Sequence, residues 1–319
     1  MRKNKLDIEE FQSLKDFTTR KVIPFDTALE DFCEDRRRSG IRESTIEYYR
    51  KEINLLRRFI IREYDTVISV NEVTKETLDK FVEYLRNERA NGEGGINSKV
   101  RAVRAFFCYC EEVGYITNNP VEDWNELRRH EPEINAFTSK QITALLKQAD
   151  RRTFTGLRNY VLMLTLLDTG MRISEALGLT IDDLHFEDNR IYIRYSKNGL
   201  SRYVPMGTQL KQELRQYLRI HNNMSEYVFV NLQGKPIQRN SFRLIMHEYG
   251  KKAGIKGVRC SPHTFRHTFA KFYILNGGDA FSLMQILGHT DMDMVRRYIR
   301  LFSADVLNQH RKYSPMQNL

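Results

Sequence analysis

Three features of the sequence predict a mainly helical fold in two parts. Apolar residues recur at spacings of three and four over most of the 319 residues, the pattern breaks between 118 and 138, and one Asn-Gly hairpin signal lies beyond the break. The expected architecture is a four-helix N-terminal domain followed by a mixed α/β domain, mostly helical with a small antiparallel hairpin. At about 100–200 residues per domain, the length also gives two.

The elements follow in order. Phe25 to Arg38 carries a stripe of Phe25, Ala28, Leu29 and Phe32 and ends before Gly40. Ser44 is the expected N-cap of a long helix to Glu63, with Ile46, Tyr49, Ile53, Leu56 and Ile60 on one face. Thr77 to Arg89 is the third helix, striped by Leu78, Phe81, Val82 and Leu85. NGEGG at 91–95 reads as a loop, and a fourth helix runs from Asn97 to Glu112. Short loops between four such helices predict a bundle. Residues 1–24 are expected as an extension, 25–117 as the helical domain and 118–138, with Pro120 and Pro132, as a linker. The second domain, 139–300, begins with helices at Ser139 to Ala149 and Leu157 to Leu167. Strands Ile191 to Tyr195 and Arg202 to Pro205 then flank the turn SKNGLS, where Asn198-Gly199 is the hairpin signal. Helices resume near 208–220, 240–253, 264–276, 279–287 and 291–300, and 301–319 forms a tail.

Composition removes several classes of function. Apolar residues are 41% and charged ones 29%, as in soluble globular proteins. The most apolar stretch, Val161 to Leu167, falls far short of the ~20 residues a membrane helix needs. MRKNKLDIEE has no apolar core of a secretory signal, so no membrane partner and a cytoplasmic location are expected. Four cysteines, at 33, 108, 110 and 260, are too sparse for a disulfide framework, and no CxxC pair suggests zinc. No metal and no cofactor are expected.

Charge is more informative in its distribution than in its sum of +10. Residues 1–130 carry 24 basic and 25 acidic side chains, whereas 131–319 carry 27 and 16. A polyanion is the natural partner of the second part, because clustered Lys and Arg release counterions from phosphates. Two helices of the near-neutral first part nevertheless keep basic stripes: Arg50, Lys51, Arg57 and Arg58 on one, Lys99, Arg101 and Arg104 on the other. With Asn97 and Ser98 beside them, these stripes suit phosphate contacts.

The chemistry lies in the basic part. There is no phosphate-binding GxxxxGK[ST] loop, no GxGxxG and no GxSxG elbow. His263 and His267 stand four apart, but Thr264 occupies the place where a zinc protease needs glutamate. What remains is Arg172 after a turn at Gly170, Glu175, Lys197 on the hairpin, His263 and Arg266 in SPHTFRHTFA, and His289 with Tyr298 nine residues on. Together they answer one problem, attack on a phosphodiester by tyrosine without a metal. Two arginines hold the non-bridging oxygens and stabilise the growing charge. A tyrosine of reference pKa ~10 needs a base such as His263 and cationic neighbours. Lys197 protonates the departing sugar oxygen, and His289 adds a hydrogen bond to the phosphate.

The motifs that carry these residues resemble those of the tyrosine recombinases of the phage integrase family, closest in layout to Xer-like members. TGMRISEALGL is similar to the family's first arginine box, HTFRH to its His-x-x-Arg-His box, and LGH with a tyrosine nine residues later to its nucleophile box. In the first part, STIEYYRKEINLLRRF and INSKVRAVRAFFCYCEEVGYITNNP resemble the family's core-DNA-binding helices. The resemblance implies that Arg172, Lys197, His263, Arg266, His289 and the nucleophile Tyr298 are catalytic, with Glu175 supporting. It implies double-stranded DNA as partner, with Arg50, Lys51, Arg57, Arg58, Lys99, Arg101, Arg104 and Arg202 among its contacts. It also implies a 3′-phosphotyrosyl intermediate, a Holliday junction and a homo-oligomer of four protomers on two sites. In that assembly the apolar positions Leu301, Phe302, Val306 and Leu307 dock the tail on a neighbour. The extension before Phe25 is too short for the arm-binding domain of many phage integrases. A topoisomerase that nicks and reseals, and a DNA-binding protein of the same fold without strand exchange, are the alternatives. The target sequence, the choice among integration, excision and resolution, and the need for a directionality factor or second recombinase stay open at this point.

Overall fold

The computed structural model describes residues 22–65, 69–128, 134–194, 201–288 and 296–298, with 310, 314 and 316. The chain divides into two compact units, Met1–Glu131 and Pro132–Leu319.

The first unit is built on four helices: α1 (Phe25–Arg38), α2 (Glu43–Tyr64), α3 (Lys75–Asn87) and α4 (Glu93–Glu112). Each buries the stripe that the three-and-four spacing marks, such as Leu78, Phe81 and Leu85 on α3. The Phe32 ring meets Tyr49, Phe106 and Tyr109 at centroid distances of 5.4, 5.7 and 5.5 Å, which joins α1, α2 and α4.

Several helix starts differ from expectation. Arg42, not Ser44, precedes the first turn of α2. Glu43 thereby sits at the positive end of the helix dipole and pairs with Arg37 at 3.0 Å. α3 starts at Lys75 because the Thr74 side chain accepts the Thr77 N–H. α4 starts inside the expected NGEGG loop, with Gly95 and Ile96 donating to the Gly92 carbonyl. Two helical glycines cost about 1 kcal/mol each, and burial of Ile96, Val100 and Val103 below them outweighs that. In the stretch expected as linker, Val121 and Trp124 are buried in the first core, and Trp124 Nε1 donates to Asp79 at 3.2 Å.

The second unit surrounds one helix. α5 (Ser139–Leu146) begins in a Thr138–Gln141 capping box, and α6 (Phe154–Thr169) is buried nearly all round. Short α7 (Ile173–Leu177), which periodicity did not predict, follows Gly170. β1 (Leu184–His185), β2 (Arg190–Ile193) and β3 (Arg202–Pro205) form an antiparallel sheet in that order, one strand more than expected. Ile191, Ile193 and Val204 face the core, whereas Tyr203 on the other face is exposed. α8 (Thr208–His221) and α10 (Pro262–Leu275) pack on α6, joined by α9 (Arg239–Lys252) and α11 (Ala280–Leu287).

Gly170 closes α6 with φ +60, and a Cβ there would come within 2.3 Å of Phe269 and 2.8 Å of Leu287. The turn into α7 therefore needs glycine twice over, for backbone hand and for space. No helix among the described residues is long and apolar enough to cross a membrane. Among the described residues, no group of three His, Cys, Asp or Glu could hold a metal ion.

Candidate active site

The second unit brings α7, α10, β3 and the end of α11 to one point. Arg172 stands at the N-terminus of α7, where its backbone N–H donates to Glu175 Oε2 (2.8 Å) and its Nη1 to Glu175 Oε1 (3.0 Å). The side chain is 20% exposed, so this arginine is held from behind and still reaches solvent.

Ser261 caps α10 and Pro262 opens it, fixing the helix phase. His263, Arg266 and His267 then share one face through their spacing of three and four. Arg266 is buried and donates through Nη1 to the Gly170 carbonyl (2.9 Å) and through Nη2 to that of Leu287 (2.7 Å). One side chain thus ties the α6–α7 turn to the carboxyl end of α11. Burial, with Arg172 nearby, lowers its pKa to about 10, which leaves it charged at neutral pH.

Tyr298 is 1% exposed and packs on Ala270, Leu283 and Leu287. Its Oη lies 2.7 Å from Nδ1 of His267, not His263, which corrects the expected acceptor. Burial, His263 and Arg266 push His267 down to about 4, so the imidazole is neutral, and in the tautomer protonated at Nε2 its Nδ1 accepts the hydrogen bond from the phenol. Burial raises the phenol above its usual value, while Arg266 and Arg297 pull it back. His263 is lowered by burial, then by Arg266 and Arg172, and its ring centroid lies 6.2 Å from that of His267.

The neutral form of His267 is the one the fold stabilises. Its contribution is therefore complete above the unfolded value of ~6.5 and is lost as pH falls towards 4. Urea unfolding at pH 7 and pH 4.5 is expected to cost wild type about 2–3 kcal/mol more than His267→Asn. Equal losses would show that His267 does not titrate this way.

His263 and His267 line a cleft of ≈ 680 Å³ together with Arg239, Arg243, Arg259 and Arg297. These four arginines are functional candidates that motif reading passed over. Arg239 and Arg243 are four apart on α9 within the basic part of the chain, which was the available signal. His267 was legible as the residue four beyond His263. Lys197, His289 and the tail positions Leu301, Phe302, Val306 and Leu307 lie outside the described residues, as do most of 291–300.

Arg202, expected to touch DNA, is turned inward. Its Nη1 and Nη2 donate to Glu175 Oε1 (3.1 Å) and Oε2 (2.9 Å), and its Nε to the Ile286 carbonyl (2.9 Å). The basic stripes of the first unit are largely paired with acids. Arg50 binds both oxygens of Glu30, Arg57 donates to Asp26 at 2.6 Å and Arg101 to Glu126 at 2.7 Å. Lys99 lies 3.4 Å from buried Glu52, and Arg104 donates to the Trp124 carbonyl. Lys51 and Arg58 are exposed. Asn97, expected beside DNA, is buried and exchanges two hydrogen bonds of 2.9 Å with the Leu127 backbone.

Comparison with known proteins places this arrangement. Residues 135–304 match the model of the phage integrase family, and residues 24–128 match that of the phage integrase SAM-like domain. Tyrosine recombinase XerC of Oceanobacillus iheyensis is 25% identical over 282 residues, covering 86% of this chain and 91% of the relative. Tyrosine recombinase XerD of Halalkalibacterium halodurans is 26% identical over 283 residues, covering 86% and 93%. Two solved structures share the fold. A lambda integrase dimer bound to a COC′ core site has a TM-score of 0.75 at 15% identity, covering 92% of this chain and 81% of that one. The Tn1549 transposon integrase with circular-intermediate DNA has a TM-score of 0.69 at 20% identity, covering 92% and 99%. With its arginine, His-x-x-Arg-His and tyrosine motifs gathered in one unit and both family models matched in order, the chain belongs to the phage integrase family of tyrosine recombinases, enzymes that cut and rejoin DNA.

Proposed function

We propose that this chain is a site-specific recombinase whose nucleophile is Tyr298, and that Arg172 and Arg266 hold the scissile phosphate. The observation that carries the reading is the Tyr298–His267 bond, formed beside Arg266 on the helix face that also bears His263. Oη attacks phosphorus and the bond to O5′ breaks, leaving a 3′-phosphotyrosyl ester and a 5′-hydroxyl. The phenol proton passes to His267. That imidazole is a weak base chiefly because it is buried, with nearby positive charge adding to the effect, and a bound phosphate anion offsets the latter and raises its basicity. The departing O5′ takes its proton from Lys197, and His289 donates to a phosphate oxygen. The energy of the broken bond stays in the ester, so a 5′-hydroxyl from a partner duplex reverses the step without ATP. Because Tyr298 is buried, DNA engagement has to bring Oη and phosphate together.

The working unit in this reading is four protomers on two duplexes, with residues 301–319 docking between neighbours. The helical domain grips duplex through α2 and α4, and 118–138, whose Val121 and Trp124 pack into its core, leads on to the catalytic domain at 139–300. Acidic partners then compete with phosphate for Arg50 and Arg57. Glu30→Gln and Asp26→Asn are each expected to tighten binding to a random-sequence duplex about threefold, as loss of an exposed ion-pair partner does. Fluorescence anisotropy checks this, and weaker binding would remove these arginines from the interface.

The test of the function is covalent capture. The protein is incubated with sheared DNA carrying the flanks of its own gene and denatured, and the attached fragments and peptide are sequenced. Attachment of one short site to Tyr298, with exchange between two such duplexes, is expected. Nicking and resealing without exchange would make it a topoisomerase; salt-sensitive binding with no adduct would make it a DNA-binding protein.

A further inference from the structure

Arg202 lies on β3, thirty residues from Arg172 in sequence, yet its side chain is 11% exposed and meets the carboxylate that Arg172 also uses. Three of its N–H groups are committed, two to Glu175 and one to the Ile286 carbonyl. The sheet register explains the direction. Arg202 pairs with Ile193 and stands two residues before Val204, so it shares their core face, whereas Tyr203 between them points out.

The receiving side is shaped for a flat guanidinium. Gly288 follows α11 with φ +64, and a Cβ there would come within 2.8 Å of Arg202 Cζ and Nη1. Carbonyls at a helix carboxyl end have no partner within the helix and carry its negative dipole end. Two arginines take adjacent ones, Arg202 that of Ile286 and Arg266 that of Leu287. On the other side, the Glu175 side chain is 2% exposed and accepts from Arg202 and Arg172 together. Burial pushes Glu175 up and Arg202 pulls it down more than Arg172 does, leaving it below the usual carboxylate range and ionised.

We propose that Arg202 is a positioning residue rather than a DNA contact: its guanidinium joins Glu175, and through it Arg172, to the carboxyl end of α11. Arg172 and Arg266 are thereby held in one frame, each linked to the same helix end. Lysine cannot replace it. An ammonium is a point charge and does not span two carboxylate oxygens and a carbonyl. The proposal rests on the recombinase reading above, since what is positioned is the phosphate-binding pair.

The test uses the full chain and four variants, Arg202→Lys, Arg202→Met, Glu175→Gln and Arg202→Met with Glu175→Gln. Binding to a random-sequence duplex is measured across salt, and adduct formation on sheared DNA is followed in time. The expected result is wild-type affinity within twofold and an unchanged log–log salt slope for Arg202→Lys and Arg202→Met. A phosphate contact would instead lower the slope by about 0.9 for Arg202→Met and overturn the proposal. This arm needs no cleavage, so failure of the recombinase reading, seen as no adduct from wild type, is told apart from failure of the proposal. Adduct formation is expected to slow at least about tenfold in Arg202→Lys and about 100-fold in Arg202→Met. The double variant is expected to be no slower than Arg202→Met, because the carboxylate and its cation act through one link. A wild-type rate in folded Arg202→Lys, or defects that multiply in the double variant, would show that the bridge does not position Arg172.

Discussion

Tyr298→Phe is expected to abolish covalent capture of DNA while leaving DNA affinity within twofold. The ring sits among Ala270, Leu283 and Leu287, and phenylalanine fills the same space. The Oη–His267 bond is lost, at about 1 kcal/mol of stability. In the proposed mechanism the chemical step loses its nucleophile, a change that costs more than ~10⁵-fold where it has been measured in other enzymes. A denaturing gel of protein–DNA adducts reads the result directly. Adducts at the wild-type level would move the nucleophile elsewhere, and Tyr313, outside the described residues, would be examined next.

Arg266→Gln has the second largest expected effect, because this side chain is a structural tie and, in the proposed mechanism, a cation at the phosphate. Its Nη1 and Nη2 hold the carbonyls of Gly170 and Leu287, neither of which glutamine reaches with the same geometry. Leaving buried acceptors without a donor costs about 1–3 kcal/mol each, so urea unfolding is expected to show a loss of about 3 kcal/mol. Removing a preorganised cation from the phosphate is expected to slow single-turnover cleavage about 10³-fold. Arg266→Lys separates the two roles. It keeps the charge but not the two-carbonyl reach, so it is expected to recover part of the cleavage rate and little of the stability. An unchanged cleavage rate in folded Arg266→Gln would remove this arginine from the phosphate.

The helices were legible because their causes are local. Phe25, Ala28, Leu29 and Phe32 declare a buried face by spacing alone, and α1 has the predicted bounds. Helix starts were less legible. Glu43 and Glu93 begin helices where composition points to Ser44 and to a loop, since an ion pair in one case and core burial in the other outweigh small cap preferences. Val121 and Trp124 lie in a stretch with no sustained period, and their burial follows from the core they meet.

The same division runs through the site. Spacing by itself put His263, Arg266 and His267 on one face of α10, and the motifs around Arg172, Glu175 and Tyr298 carried the resemblance to one family. The alternation of β3 also contained the inward direction of Arg202, because Val204 two residues on is a core residue. Only the tertiary structure decided which groups meet. It set His267 rather than His263 against Tyr298 across 31 residues, and bound Arg202 to Glu175 across 27. It also matched Arg57 with Asp26 across 31. Periodicity reports which face of an element is buried, a property of residues a turn apart. A hydrogen bond between distant segments depends on how whole elements pack, and no local pattern encodes that distance.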